Sequence, residues 1–203
     1  MLFPSDKLII FAKAPIPGEA KKRLIPVLGE VGAAELHQKM LEQKLRLIQE
    51  NSIAPVELHC WPDKSHPYFL DIEARYSLQL HNQQGDNLGE RMAHAMQHAI
   101  DKHSSTVLIG SDSPPLDREY LITAFQQLHS GADAVIGPAE DGGYVLIGLS
   151  HFHSEIFHGI EWSSNKVYQQ TQSKFEQLNL NHVKLNTLWD VDRPDDLERL
   201  GNI

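Results

Sequence analysis

The chain has 203 residues, 41% of them hydrophobic and 22% charged, with a net charge of −9 at pH 7. This suits a single globular domain over residues 1–203, and the acidic balance excludes general nucleic-acid binding, which needs a broad basic face. Cys60 is the sole cysteine, so no intrachain disulfide forms, and no apolar run reads as a membrane span or secretion signal; a cytoplasmic protein is expected.

Leu8 to Ala12 predicts a buried strand that runs straight into a loop carrying Lys13, Pro15, Pro17, Gly18, Lys21, Lys22 and Arg23. Gly18 permits a close backbone approach. The four cations can surround phosphates, with Arg23 offering a bidentate fork. A solvated basic loop is the plain alternative. The loop is not a P-loop, because no glycine stands four residues before a Gly-Lys-Ser/Thr triplet.

Gly32 to Glu50 has apolar residues at helical spacing. Pro55 to Trp61 reads as a second strand, His66 to Tyr76 as a short helix, and Ser77 to His81 as a half-buried strand. Gly85 to Met92 is a glycine turn that opens a helix over Gly89 to Lys102, capped by Asp86 or Asn87. It also fits a base-recognition loop, where Gly89 lets a flat ring lie against backbone. His94 and His98 sit one helical turn apart near Asp101, a possible metal spacing. With 12 histidines in the chain and no glutamate beside His94, they read as a solvated helix face.

Thr106 to Ile109 is a compact strand ending in Gly110-Ser111-Asp112. Asp112 can supply the protein's share of a hard divalent cation that also binds substrate phosphates. An Asx-type turn before Pro114-Pro115 is the alternative. Asp117 to Leu128 predicts a helix with Asp117 as N-cap. Strands Ala132 to Ile136 and Tyr144 to Leu149 flank Glu140, Asp141, Gly142 and Gly143, which read as a hairpin turn or as acids and amides pressed on a small molecule.

Asn165 to Leu178 is a helix, Val183 to Leu188 the last strand, and Arg193 to Leu200 a terminal helix. Asp195 and Asp196 follow Pro194 as a helix start requires. Asp190 and Asp192 have no such role, and a second metal carboxylate is the sharper reading. Alternating strands and helices predict a three-layer α/β/α domain with a mostly parallel sheet. Lys13, Asp112, Gly137 and Asp190 follow strand ends and therefore share one edge, where ligands of such sheets bind. That favours the phosphate reading of the first loop.

The ordered set resembles the GT-A (nucleotide-diphospho-sugar transferase) superfamily. It is most similar to a small bacterial branch of glycosyltransferase-like proteins that begin with Phe-Ala-Lys-Ala-Pro-x-Pro-Gly-x-x-Lys-Thr-Arg-Leu. Here that segment is Phe11 to Leu24, with Lys22 in place of the threonine. Gly85 to Met92, Gly110 to Pro114, Gly137 to Gly148, Ile160 to Ser163 and Asp190 to Leu197 look like the branch's later motifs. Ser113 follows Asp112, so the Asp-x-Asp signature of many glycosyltransferases is absent.

The resemblance implies a Rossmann-like GT-A fold and a Mg²⁺- or Mn²⁺-dependent transferase. Its partners would be a nucleotide or nucleotide-sugar donor and a small-molecule acceptor. Asp112 and Asp192 would hold the metal, and Lys21, Arg23 and Asp112 would be catalytic. Ala12, Lys13, Gly18, Lys21, Arg23, Gly85, Gly89 and Ser111 would bind the nucleotide, and Glu140, Asp141, Gly142 and Gly143 the acceptor. Glycosyl transfer from a nucleotide-diphospho-sugar is the leading expectation. Nucleotidyl transfer with pyrophosphate release, or a nucleotide-binding module without turnover, are the alternatives.

Overall fold

A computed structural model describes residues 1–201. Seven strands form one sheet: β1 Lys7–Lys13, β2 Val56–Trp61, β3 Gln79–Asn82, β4 Thr106–Ile109, β5 Ala134–Pro138, β6 Tyr144–Leu149 and β7 His182–Lys184. Their spatial order is β3-β2-β1-β4-β6-β5-β7. All neighbouring pairs are parallel except those made by β6, which runs antiparallel to both β4 and β5. The helices are α1 Ile25–Asn51, α2 Pro67–Tyr76, α3 Leu88–Ile100, α4 Arg118–His129 and α5 Val167–Gln177.

Alternation along β1 builds the three layers, since successive strand side chains face opposite sides. Leu8 and Ile10 pack with Leu41 and Leu45 of α1, Ile72 of α2 and Phe125 of α4. Ile9 packs the other way, with Met92 and Met96 of α3 and Phe175 of α5. The α/β/α fold and mostly parallel mixed sheet expected from the sequence are therefore present. Among the described residues, no helix is long and apolar enough to cross a membrane.

Element ends differ from expectation where the backbone turns. α1 begins at Ile25, before Gly32, and breaks at Gly29 with φ 70°. β3 starts late because Ser77 closes α2 in the left-handed region. The last strand is only His182–Lys184, with Leu188 adding an isolated parallel bridge to Ala139. The terminal helix is a 3-10 helix over Pro194–Leu200.

The layer under α3 holds a buried charge. Glu57 of β2 pairs with Lys7 Nζ at 3.0 Å, and His59 Nε2 lies 3.4 Å away. Burial alone would raise the Glu57 carboxyl, but the His59 hydrogen bond and Lys7 outweigh it and hold it at about 2. A carboxylate depressed from 4.5 to about 2 stabilises the fold above its unfolded value, and that stabilisation is lost as pH falls through the folded value. Glu57→Gln is expected to flatten the decline of unfolding free energy below about pH 4.5, measured by denaturant titration at stepped pH.

Candidate active site

The carboxyl ends of β1, β4 and β5 meet at one rim, and the residues that follow them line a cleft of about 640 Å³. The loop after β1 tightens at Gly18, whose φ of +80° favours glycine, and ends at Lys21, which is itself left-handed at φ 48°. Lys13 does not reach the cleft; its Nζ donates to Glu19 O at 2.9 Å. Ala12 is buried in β1. Lys22 is exposed.

Lys21 and Arg23 divide the work. The Lys21 side chain is 6% exposed, and its ammonium binds Asp112 Oδ2 at 2.9 Å and donates to Val191 O. The Arg23 side chain is 62% exposed and pairs with Asp192 across the cleft mouth. Lys21 is thus a tie between the first loop, the β4 end and the 189–192 segment. Arg23, unlike Lys21, is open to a solute in the cleft, as is Arg193.

Three side chains surround Asp112. Lys21 is the first. His37 of α1 is the second: its Nε2 sits 2.9 Å from Lys13 O, and a carbonyl only accepts, so Nε2 donates and Nδ1 faces Asp112 Oδ1 at 3.4 Å. Ser111 is the third, donating Oγ to Asp112 Oδ1 at 3.2 Å while itself buried outside the cleft. Burial would raise the Asp112 carboxyl, but Lys21 and His37 reverse that and hold it well below the usual carboxylate range. The loop is braced from behind by buried Lys44 of α1, which donates to the Ser113 and Leu116 carbonyls. Burial pulls the Lys44 ammonium down to about 8, against a smaller pull from Asp117.

The late acids behave differently from each other. Asp192 is taken by Arg23. No side chain among the described residues pairs with the Asp190 carboxylate, which lines the cleft with Asp112, Asp141 and Asp192. Burial first, then Asp141, push it up to about 6. A crowded, protonatable oxygen donor of this kind suits a hard divalent cation. Among the described residues no three acid, histidine or cysteine groups converge to form a ready metal cage. One or two carboxylates of this kind suit a hydrated divalent cation, Mg²⁺ or Mn²⁺, that also takes substrate phosphates.

The 139–143 loop is likewise split. Asp141 and Gly143 line the cleft, and Asp141 Oδ1 accepts from Gly143 N at 2.8 Å. Glu140 does not line it; Arg199 grips it bidentately at 2.6 and 3.0 Å. Gly142 turns at φ +90° against the backbone of Asn165.

Gly85 and Gly89 serve packing. Gly85, at φ +133°, lies on Glu90 and Arg91, and its carbonyl accepts from Arg91 Nε at 3.0 Å. Asn87, rather than Asp86, caps α3 by accepting from Glu90 N at 3.0 Å. The space left by the missing Gly89 side chain is filled by Trp162; a Cβ there would stand 2.4 Å from its Nε1. Gly89→Ala is expected to displace Trp162 and cost about 1–3 kcal/mol, read as a shift in tryptophan emission together with a lower denaturation midpoint.

Sequence reasoning missed the apolar wall of the cleft: Phe11, Leu88, Met92, Tyr144, Trp162 and Val167. All but Val167 fall within the motifs Phe11 to Leu24, Gly85 to Met92, Gly137 to Gly148 and Ile160 to Ser163, yet nothing in those motifs marks them as one wall.

Residues 44–164 match the family DUF2064, described as an uncharacterized protein conserved in bacteria. No curated protein matches the chain. Among solved structures, a putative nucleotide-diphospho-sugar transferase from Desulfovibrio desulfuricans G20 is 34% identical, with a TM-score of 0.89 over 98% of this chain and 88% of that one. A 4-diphosphocytidyl-2C-methyl-D-erythritol synthase from Anaerococcus prevotii DSM 20548 shares the fold at 11% identity and TM-score 0.61, covering 97% and 96% of the two chains. Glucosyl-3-phosphoglycerate synthase from Mycobacterium tuberculosis, solved with Mn²⁺, UDP and glucosyl-3-phosphoglycerate, shares it at 11% identity and TM-score 0.53, covering 98% and 75%.

Proposed function

Because the chain belongs to the DUF2064 family and has the fold of the nucleotide-diphospho-sugar transferases, we propose that it is a metal-dependent glycosyltransferase using a nucleotide-diphospho-sugar. The broader reading, a transferase that uses a nucleotide, is supported by relatives of both glycosyl- and nucleotidyltransferase kinds. The observation that carries the proposal is the convergence of Asp112, Asp141, Asp190 and Asp192 with Arg23 at one rim.

Asp112 and Asp190 would hold Mg²⁺ or Mn²⁺ together with the donor's phosphates. Asp192 keeps Arg23 aimed at the cleft. The metal, when bound, neutralises charge that develops on the phosphate leaving group. Lys21 and His37 hold Asp112 in its ionised form, so that it is ready to ligate. Arg23, an exposed cation, meets the phosphates. Asp141, held in place by the Gly143 amide, orients an acceptor group. Catalysis is then positioning and charge compensation without a covalent intermediate.

Nucleotidyl transfer is the second reading, because the first loop holds Lys13, Lys21, Lys22 and Arg23. Lys21 and Arg23 are already paired with acids, which leaves less positive charge for a triphosphate than the sequence suggests. Incubating the protein with Mn²⁺ and a panel of nucleotide-diphospho-sugars should release nucleoside diphosphate. Nucleoside triphosphates should yield no pyrophosphate. Pyrophosphate release would install the nucleotidyl reading; binding of both donor kinds without turnover of either would leave a binding module.

A further inference from the structure

The face of the sheet under α3 carries a second polar cluster that the cleft does not use. Phe11, His59 and His81 stand opposite one another across β1, β2 and β3. Their rings stack with centroids 5.7 and 5.0 Å apart. His98 of α3 continues the column, 5.9 Å from His81. His94, one turn earlier, and Lys64 from the loop after β2 complete a cavity of about 260 Å³ over His59 and His81. Asn82 and Gln84 add amides to its wall.

The lining is rich in N–H donors and, among the described residues, free of carboxylates, in a chain whose net charge is −9. Glu57 lies beneath it: its Oε1 pairs with Lys7, and its Oε2 stands 3.4 Å from His59 Nε2 and 3.7 Å from His81 Nε2. His81 Nε2 is buried and has no hydrogen-bond partner among the described residues. Lys102 Nζ donates to His98 Nε2 at 2.8 Å, placing an ammonium against that imidazole.

Charge decides which ligand fits. A divalent cation would face Lys64, and no three ligating groups among the described residues converge on one point. An oxyanion would face imidazole, ammonium and amide N–H groups, and charge-assisted contacts of that kind are the strong ones. We propose that this cavity is an anion site for a phosphate group, either the free ion or a small phosphomonoester. The inference does not depend on the transferase reading.

Calorimetric titration of the full chain with inorganic phosphate and with glycerol phosphate tests it. A histidine-bound metal would weaken as the pH falls. The groups facing these imidazoles are Lys7 and Glu57 below, Lys64 at the side, and Lys102 and His103 beyond α3. The double variant His94→Ala/His98→Ala should lose about tenfold or more in affinity. Both side chains are exposed on α3, so its melting temperature should hold. If it does not, Lys64→Gln replaces it as the variant expected to lose affinity. Tighter binding of the ester or of the free ion assigns the source, and either result supports the site. The proposal falls if phosphate gives no heat, if binding survives these variants, or if Arg23→Ala abolishes it. Zn²⁺ binding that the double variant loses, without phosphate binding, would replace it with a metal site.

Discussion

Asp112→Asn is expected to lower turnover by about two to three powers of ten and to remove metal-dependent tightening of nucleotide binding. The carboxylate is the point on which the site's opposite charges meet. Lys21 reaches it at 2.9 Å with a side chain only 6% exposed, and His37 approaches its other oxygen. The amide keeps the size and one acceptor but gives up the charge. A divalent cation then loses its ionised ligand, and Lys21 loses the partner that justifies burying its ammonium. The Asp112 carboxylate is itself 42% exposed, which tempers the structural cost through solvent screening. Melting temperature should therefore fall by a few degrees while activity falls by orders of magnitude. Activity measured with saturating donor and Mn²⁺, alongside the melting curve, separates the two. Turnover within threefold of the parent would remove Asp112 from the centre of the site.

Gly142→Ala is expected to destabilise the protein by about 3 kcal/mol or more and to impair donor-dependent turnover as well. Two costs add. The backbone sits at φ +90°, where side chains rarely go, and the new Cβ would meet Asn165 O at 2.1 Å. That atom belongs to backbone, so no rotamer change relieves the contact. The Gly142 carbonyl also accepts from Tyr168 N at 2.8 Å, so moving the loop pulls on the start of α5. Asp141, Gly143 and Asn165 all line the cleft, and the clash therefore acts directly on the site. For a chain of this length the melting temperature should fall by roughly 10 °C. Gly159→Ala is a useful contrast: it shares a positive φ of +72° but has nothing within 4 Å of the added atom.

The layers, the strand-end rim and the placement of Asp112, Asp190 and Asp192 on it were legible because apolar runs and turn residues report local backbone directly. Partner choice among charges was not. Lys21 and Arg23 lie two residues apart and look equivalent in the sequence, yet the left-handed turn at Lys21 sends one inward to Asp112 and leaves the other in solvent. Asp192 pairs with Arg23, whereas no side chain among the described residues pairs with Asp190, a difference that the sequence pattern does not record. Gly89 looked like room for a base, but Trp162, far along the chain, fills it. One signal was available. His37 and Lys44 fall on the buried face of α1 with Ala33, Met40, Leu41 and Ile48. Polar residues on an apolar stripe require partners, and theirs are the Lys13 carbonyl and the Ser113 and Leu116 carbonyls that follow Asp112.

The reversed direction of β6 has a consequence for how this scaffold can diversify. Because β5 runs up to the rim and β6 runs back from it, the segment that joins Pro138 to Tyr144 is held at the cleft from both sides. Insertions or exchanges within 139–143 can therefore remodel a substrate wall while both flanking strands keep their register. A library confined to those five positions, holding Gly142 constant, would sample new acceptors without asking the sheet to fold differently.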